Sequence, residues 1–253
     1  MFTPIYKTTV AVLITVLFTA SWCFAEQKTP QHIKILCGYR FPPFYTVTNK
    51  KEPSKNLHGT FIDLMDEFQN KHPEYSIEYK CLPRARISKQ LIHGRADGYA
   101  LTDPMFLQPE TKSNYLHSKP MWTVADHLLV LKDSPITKAD FGSLTGTTIA
   151  VLHGNDYGPL NYYFKEGLIN KHPVYSTKQI LELVVKKRVD AAICNKMTLP
   201  GLMKETEHTM DQFRIINEPL YSFKLHLIVH RTHAALLNDF NDFIKKSSIT
   251  DTQ

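Results

Sequence analysis

The heptapeptide NKHPEYS at residues 70–76 recurs as NKHPVYS at residues 170–176, with six of the seven positions identical. Each copy falls where the hydrophobic pattern changes from a helical to a strand period, between the first helix and the second strand of a predicted β-α-β-α-β unit. Two copies of one unit explain both the match and its placement. The sequence therefore predicts two equivalent α/β lobes.

The first unit begins with IKILCGY from Ile33, which predicts a buried strand, and GTFIDLMDEFQ from Gly59, which predicts an amphipathic helix that Pro73 ends. A second strand, a helix and a third strand follow at residues 75–81, 84–93 and 96–101. This order implies parallel strands joined by right-handed crossovers.

The second unit repeats that order from residue 147. Its predicted elements are a strand, a helix, a short strand beginning at Val174, a helix and a strand, at residues 147–152, 157–169, 174–175, 178–187 and 191–194. Extended apolar segments at 122–132 and 221–230 connect the lobes, and a helix at 234–246 closes the chain. Two connecting strands make a hinge, so we expect a cleft that captures a ligand when the lobes close. The predicted division is lobe 1 at residues 26–123, lobe 2 at 124–221 and a return to lobe 1 at 222–253.

Composition excludes several classes of protein. The 253 residues are 43% hydrophobic and 21% charged, which argues against disorder and against a multi-span membrane protein. A net charge of +6 is too small and too scattered to indicate nucleic-acid binding. The sequence contains no phosphate-binding loop, zinc-protease or nucleophile-elbow motif, and we expect no cofactor.

The N-terminus predicts export. Lys7 precedes the short apolar run VAVLITVLFTA, and small residues stand three positions and one position before a cleavage point after Ala25. These features describe a cleaved signal peptide at residues 1–25, and the apolar run is shorter than a membrane span requires. The sequence therefore predicts a periplasmic location.

Three cysteines remain after that cleavage. Cys37 and Cys81 end the first and second strands, which are usually neighbours in a β-α-β unit, so their sulfurs are expected to meet and form a disulfide. Cys194 has no evident partner. Three buried thiols that pack as small hydrophobic groups are the alternative.

Several short pieces, in order and at consistent spacing, resemble one known family. They are YRFPPF (39–44), GTFIDL (59–64), GRADG (94–98), PE (109–110), SKP (118–120), LTGT (144–147), Gly154 and VDAAI (189–193). Over residues 33–246 the chain resembles the periplasmic solute-binding proteins of the amino-acid transporter type. The resemblance implies an α/β fold with two lobes (the type II clamp), a monomer, a small polar ligand and an inner-membrane ABC permease as partner.

The resemblance also implies which residues line the cleft. They are aromatic residues after the first strand, residues after the third strand and the start of a helix in lobe 2, namely Tyr39, Phe44, Thr102, Asp103, Asn155 and Asp156. The carboxyl ends of parallel strands are where open α/β sheets place ligands. Core packing is the alternative for the two aromatic residues, and a helix N-cap is the alternative for Asp156.

The residues that hold a free amino acid in this family are changed here. Thr111 stands where relatives carry the arginine that binds the ligand carboxylate, and Asn195 stands where they carry the aspartate that binds the ammonium group. Arg84, at a position where relatives often have an aromatic residue, is a candidate replacement cation for an acidic ligand. A second alternative is that Asp103 and Asp156 bind an amine group of the ligand. A third is that all of these charged side chains lie on the solvated surface and bind no ligand.

Three other functions are compatible with this sequence. An enzyme similar to a periplasmic cyclohexadienyl dehydratase would use Asp103 or Asp156 as its acid. A sensor subunit would present the same clamp to a membrane receptor. A metal carrier would use His226 and His230, which share one face of the second connecting strand. We expect a binding protein without enzymatic activity and without a metal site.

Overall fold

The computed structural model describes residues 29–49 and 51–246, so the predicted signal peptide at 1–25 lies outside the described residues. The strands are β1 (Gln31–Cys37), β2 (Arg40–Phe41), β3 (Tyr45–Val47), β4 (Leu57–His58), β5 (Tyr75–Cys81), β6 (Gly98–Thr102), β7 (Tyr115–His117), β8 (Trp122–Leu131), β9 (Thr148–Leu152), β10 (Asn170–Val174), β11 (Ala191–Asn195), β12 (Phe213–Ile215) and β13 (Tyr221–His230). The α-helices are α1 (Thr60–Lys71), α2 (Arg84–Ile92), α3 (Pro109–Asn114), α4 (Leu160–Lys165), α5 (Thr177–Val185), α6 (Leu199–Met203) and α7 (Ala234–Lys246).

The main sheet has a nearly palindromic strand order, β10-β9-β11-β8-β13-β6-β1-β5. In the first half β1 lies between β5 and β6 and is parallel to both. In the second half β9 lies in the same way between β10 and β11. A long connecting strand then pairs antiparallel with the third strand, β13 with β6 and β8 with β11. The two long strands also pair with each other, antiparallel, and so join the halves. The duplicated α/β plan predicted from the sequence is confirmed, and the antiparallel long strands make the sheet a mixed one.

The two copies of the heptapeptide occupy different positions within this plan. In the first copy Asn70 and Lys71 end helix α1, and strand β5 begins at Tyr75. In the second copy Asn170–Val174 is the whole of strand β10, so the predicted strand start at Val174 was wrong. Pro173 is tolerated in β10 because this strand lies at the edge of the sheet.

Helix α4 is shorter than the predicted helix at 157–169. It begins at Leu160 and ends at Lys165, and Gly167 follows with a φ of 68°. A residue in this left-handed region ends a helix, and glycine adopts it without steric cost. The backbone N–H of Asn170 then donates a hydrogen bond to the carbonyl oxygen of Thr147. The pairing of β10 with β9 therefore begins at Asn170 and not at Val174, the start predicted from the sequence.

Each half has its own hydrophobic core. In the first half Phe68 of α1 packs against Phe240 and Phe243 of α7, with ring centroids 5.3 and 5.5 Å apart. The chain thus returns to the first half for its last helix. The core of the second half draws on buried residues between positions 128 and 221. Among the described residues, no helix has the length and apolarity to cross a membrane.

Cys37 and Cys81 are register partners on the parallel strands β1 and β5. Their Sγ atoms lie 3.2 Å apart and both residues are free thiols, as is the buried Cys194. The expected proximity of the first two sulfurs is therefore found, whereas the expected covalent bond is not formed in this structure.

We expect these two thiols to oxidise when the protein is made in an oxidising compartment. The bond would close the loop from residue 37 to residue 81, which the chain-entropy relation values at about 4 kcal/mol of stability. Mass spectrometry of the unreduced protein should show the loss of two hydrogens, and reductant should lower the unfolding temperature. Cys194→Ala is the matched control and should leave both results unchanged. Three titratable thiols in unreduced, denatured protein would contradict the prediction.

Candidate ligand-binding cleft

A cavity of about 430 Å³ lies between the two halves of the molecule. Its polar lining comes from both halves, and the residues used below are Arg84, Tyr99, Thr102 and Thr111 from the first and Asn155, Asp156 and Lys171 from the second. Thr102 ends strand β6, Arg84 begins helix α2, and Asn155 and Asp156 follow strand β9, as expected for the carboxyl edge of an open α/β sheet. A ligand in this cavity would touch both halves at once.

Five of the nine predicted ligand residues line this cavity: Arg84, Thr102, Thr111, Asn155 and Asp156. Thr102 ends strand β6, and Thr111 lies in helix α3. Asp156 opens the turn before α4, where its Oδ1 accepts hydrogen bonds from Gly158 N and Asn161 Nδ2 at 2.8 and 2.9 Å. Its carboxylate therefore organises this turn, but the N-cap alternative was wrong, because α4 begins at Leu160 and its N-cap is Pro159 without a side-chain bond. Asp156 also borders the cavity.

The other four predicted residues lie outside the cavity lining. Phe44 is in the core of the first half, 1% exposed, with its ring centroid 4.8 Å from that of Trp122. The packing alternative therefore describes its position, since a side chain this buried cannot reach a ligand. Tyr39 is 42% exposed at the surface.

Asp103 and Asn195 are occupied by backbone hydrogen bonds. The Asp103 carboxylate accepts from Met105 N at 2.8 Å and from Lys224 N at 2.7 Å, which fixes the end of β6 to strand β13. Asn195 donates to Ala125 O at 2.9 Å and accepts from Met197 N at 3.0 Å. Both side chains hold the walls of the cleft in place.

Arg84 is the best-placed cation in the cavity. It begins helix α2, its guanidinium donates a hydrogen bond to the Tyr99 hydroxyl, and Cζ lies 5.8 Å from the centre of that ring. Burial acts to lower the pKa of Arg84, but Tyr99, Tyr45 and other nearby groups raise it by more, so the side chain stays charged. No carboxylate of the described chain forms an ion pair with it.

Lys171, in the second heptapeptide, adds a positive charge on the opposite wall. Its Nζ lies 5.5 Å from the centre of the Tyr157 ring and 5.3 Å from that of Phe164. Because these contacts are cation–π interactions and not ion pairs, the ammonium group keeps its charge unneutralised. Sequence reasoning missed this residue, whose position on the cavity follows from the early start of β10.

Asp126 does not line the cavity, but it interacts electrostatically with Arg84, and like Tyr99 it was not among the residues predicted from the sequence. It lies on strand β8, where it is the register partner of both Asn195 on β11 and Tyr221 on β13. Its Oδ2 accepts a hydrogen bond from the Tyr221 hydroxyl at 2.8 Å. Burial raises the pKa of Asp126 to about 6, against the opposing effects of Tyr221, Asn195 and Arg84. A single acidic residue in the apolar segment WTVADHLLVLK was the available signal.

The two halves are in contact on either side of the cavity. A Cβ built on Gly201 of α6 would lie 2.9 Å from the side chain of Pro42 in the first half, and one on Gly154 would lie 3.1 Å from Ala85 N. Arg40 forms an ion pair with Glu205, again between the halves. The two halves therefore touch each other beside a cavity that is still partly open.

The histidines of the second connecting strand do not assemble a metal site. His226 is buried, and its Nδ1 donates to Ser118 O at 2.6 Å. His230 bonds instead through Nδ1 to the Thr232 hydroxyl at 2.9 Å. Within the described residues neither histidine belongs to a group of metal-ligating side chains.

Comparison with solved structures shows the fold of two-lobed solute-binding proteins. ArgBP from T. maritima in its holo form aligns with a TM-score of 0.66 and 20% identity, over 86% of this chain and 92% of that one. A putative L-cystine ABC transporter protein from Listeria monocytogenes aligns with a TM-score of 0.66 and 16% identity, over 85% and 89%.

A third neighbour bears on the enzymatic alternative. AncCDT-1, an ancestral amino-acid-binding protein described as a precursor of cyclohexadienyl dehydratase, aligns with a TM-score of 0.62 and 20% identity, over 85% of this chain and 88% of that one. No protein-family model and no curated protein sequence matches the chain. These identities establish the fold, and the function has to be argued from the site.

Proposed function

We propose that this chain is an exported solute-binding protein that closes its two lobes on a small polar ligand and delivers it to an ABC-type importer. The single observation that carries the proposal is the cavity lined from both halves, with an arginine that forms no ion pair with a carboxylate of the described residues. The proposed lobes are residues 26–123 with 222–253, and residues 124–221. The predicted signal peptide supports a periplasmic location, and the protein is proposed to act as a monomer.

The proposed ligand carries at least one anionic group. Arg84 and Lys171 line the cavity from different halves, and neither forms an ion pair with residues 29–49 or 51–246, so a ligand carboxylate would supply a partner. Thr102 and Asn155 offer neutral hydrogen-bonding groups beside them. A ligand amine would be attracted by Asp156 at the cavity and by Asp126 deeper in the connecting strands. Small organic acids and amino-acid-like molecules fit these requirements.

The proposed mechanism is a shift between open and closed populations. A ligand favours the closed form only to the extent that it binds that form more tightly. Arg84 and Thr102 belong to one half, whereas Asn155 and Lys171 belong to the other. A molecule that bridges them gains its full set of contacts only after closure.

The dehydratase alternative has less support than solute binding. A sensor subunit would use the same two-lobed clamp as a transport protein, so the cleft does not distinguish these two functions. Of the two acids considered from the sequence, Asp103 has its carboxylate bonded to two backbone N–H groups, which leaves Asp156 at the cavity. An enzyme would convert a ring carboxylic acid to product. Loss of this activity in Asp156→Asn would identify Asp156 as the general acid.

A thermal-shift screen of residues 26–253 against amino acids, amines and small organic acids tests the proposal. Ligand at 100 times its dissociation constant should add about 2.7 kcal/mol to the free energy of unfolding. We expect the hits to be acids or zwitterions, with a smaller radius of gyration in solution scattering when ligand is present. Stabilisation by amines alone would contradict the proposed binding of an anionic group by Arg84 and Lys171. Conversion of a hit to product would favour the dehydratase alternative.

A further inference from the structure

The first heptapeptide contributes to a cluster of metal-ligating side chains far from the cleft residues described above. His72 follows the last residue of α1, Glu74 lies in the turn before β5, and Asp239 lies on α7. One ligand atom from each of the three lies within 4.8 Å of the other two, and His72 Nδ1 is already 3.0 Å from Glu74 Oε1. Ligands around a tetrahedral zinc ion are about 3.4 Å apart, so small side-chain rotations would let the three residues fill three positions, with water in the fourth. The contact between His72 and Glu74 is a hydrogen bond, and its proton would be released to solvent when the ion binds.

Neighbouring side chains hold two of these ligands in position. The His72 ring stacks on the buried ring of Phe68, with centroids 4.7 Å apart and planes inclined by 30°. The Tyr75 hydroxyl donates a hydrogen bond to Asp239 Oδ2 at 2.6 Å, which leaves the other carboxylate oxygen, Oδ1, available to bind a metal ion. Groups that orient the ligating side chains in this way are a regular part of protein metal sites.

The charges and the ligand types suit a divalent transition ion. One neutral imidazole and two carboxylates contribute two negative charges, which balance the ion. A histidine with two carboxylates favours first-row transition ions over calcium or magnesium, which prefer all-oxygen sites. Glu74 is exposed, and His72 and Asp239 are partly buried, so an ion can enter from solvent.

The second heptapeptide provides an internal comparison. It keeps the histidine, His172, but has Val174 in place of the glutamate, and its residues form the edge strand β10. His172 is exposed and belongs to no described cluster of ligating residues. The ligand set is thus confined to the copy that faces α7.

We propose that His72, Glu74 and Asp239 bind one first-row divalent transition ion, with zinc as the reference ion. The ion would join the turn before β5 to the closing helix α7 and so stabilise the first half. This proposal is independent of the ligand in the cleft, since none of the three residues lines the cavity.

The test is zinc binding to residues 26–253 after removal of metal with a chelator. Competition against a chromophoric chelator should show one equivalent of zinc bound. We expect His72→Gln and Asp239→Asn each to weaken the affinity at least tenfold, and His172→Gln to leave it unchanged. Cobalt(II) gives a second reading, since its visible absorption should show nitrogen and oxygen ligands in the parent and lose the nitrogen contribution in His72→Gln.

A folding control separates metal binding from packing. Circular dichroism and the metal-free unfolding temperature of each variant show whether it is folded. In a folded variant, the zinc-dependent rise in unfolding temperature should be lost for His72→Gln and kept for His172→Gln. Absence of zinc binding by the parent, unchanged affinity in His72→Gln, or a tenfold loss in His172→Gln would each overturn the proposal.

Discussion

Arg84→Gln is expected to remove most of the stabilisation by ligand that the parent protein shows. The guanidinium forms no ion pair with a carboxylate of the described chain, and its proposed function is to pair with an anionic group of the ligand inside the cavity. Removing one partner of a buried charged pair costs about 2–5 kcal/mol, a loss of about thirty-fold or more in affinity. Isothermal titration with the best hit of the screen measures it directly.

The matched control for Arg84→Gln is Arg86→Gln. Arg86 lies on the same helix, is exposed and does not line the cavity, so its replacement should change the affinity less than threefold. Arg84→Lys keeps the charge and loses the two-pronged geometry, so an intermediate affinity is expected. Should Arg84→Gln bind as tightly as the parent while remaining folded, the anionic group of the ligand would have to lie elsewhere, with Lys171 the next candidate.

Gly201→Leu is expected to weaken ligand binding by preventing full closure. A Cβ at position 201 would lie 2.9 Å from both Cβ and Cγ of Pro42, in the other half of the molecule. Forcing extra atoms into a packed contact costs about 1–3 kcal/mol, so affinity should fall by about five-fold to more than a hundred-fold. Gly201 lies within helix α6, where leucine is a better helix former, so the ligand-free protein should be no less stable.

Solution scattering distinguishes this effect from general damage. The parent should contract on adding ligand, and Gly201→Leu should keep the larger, open radius of gyration at the same concentration. Lys204→Leu, an exposed neighbour at the end of the same helix, is the control and should behave as the parent. Equal contraction of Gly201→Leu and parent would show that the contact between Gly201 and Pro42 does not limit closure.

The fold could be predicted from the sequence because its signals are local and repeated. The apolar spacing of α1 and the strands β1 and β5 follow from hydrophobic period, and two such units imply two lobes. The boundaries of α4 and β10 could not be predicted in this way. Helix α4 ends early because Gly167 adopts a left-handed conformation. The segment that contains Pro173 forms the edge strand β10 because it pairs with β9.

The candidate site could be predicted only in part, because cavity lining depends on how strands and helices meet. Thr102 follows from the rule that ligands lie at the ends of parallel strands, Asn155 from its place before a predicted helix, and Arg84 from the resemblance to solute-binding proteins. Phe44 obeys the same rule in sequence yet packs against Trp122, since the direction of its side chain is set by tertiary contacts. Asp126 lies in the middle of a long strand, and only the folded structure shows that it pairs with Asn195 and Tyr221 and interacts with Arg84.

The antiparallel pairing of β8 with β13 constrains how the halves can move. Five residue pairs, from Tyr221 with Asp126 to Leu225 with Trp122, tie the long strands together where the chain passes between the halves. Sliding one strand along the other would break these hydrogen bonds, whereas a change in twist spread over several backbone dihedral angles would keep them. We therefore expect the halves to rotate most easily in the direction that changes this twist. In the proposed mechanism this makes closing a nearly one-dimensional motion, in which Arg40 meets Glu205 and Gly201 meets Pro42 together.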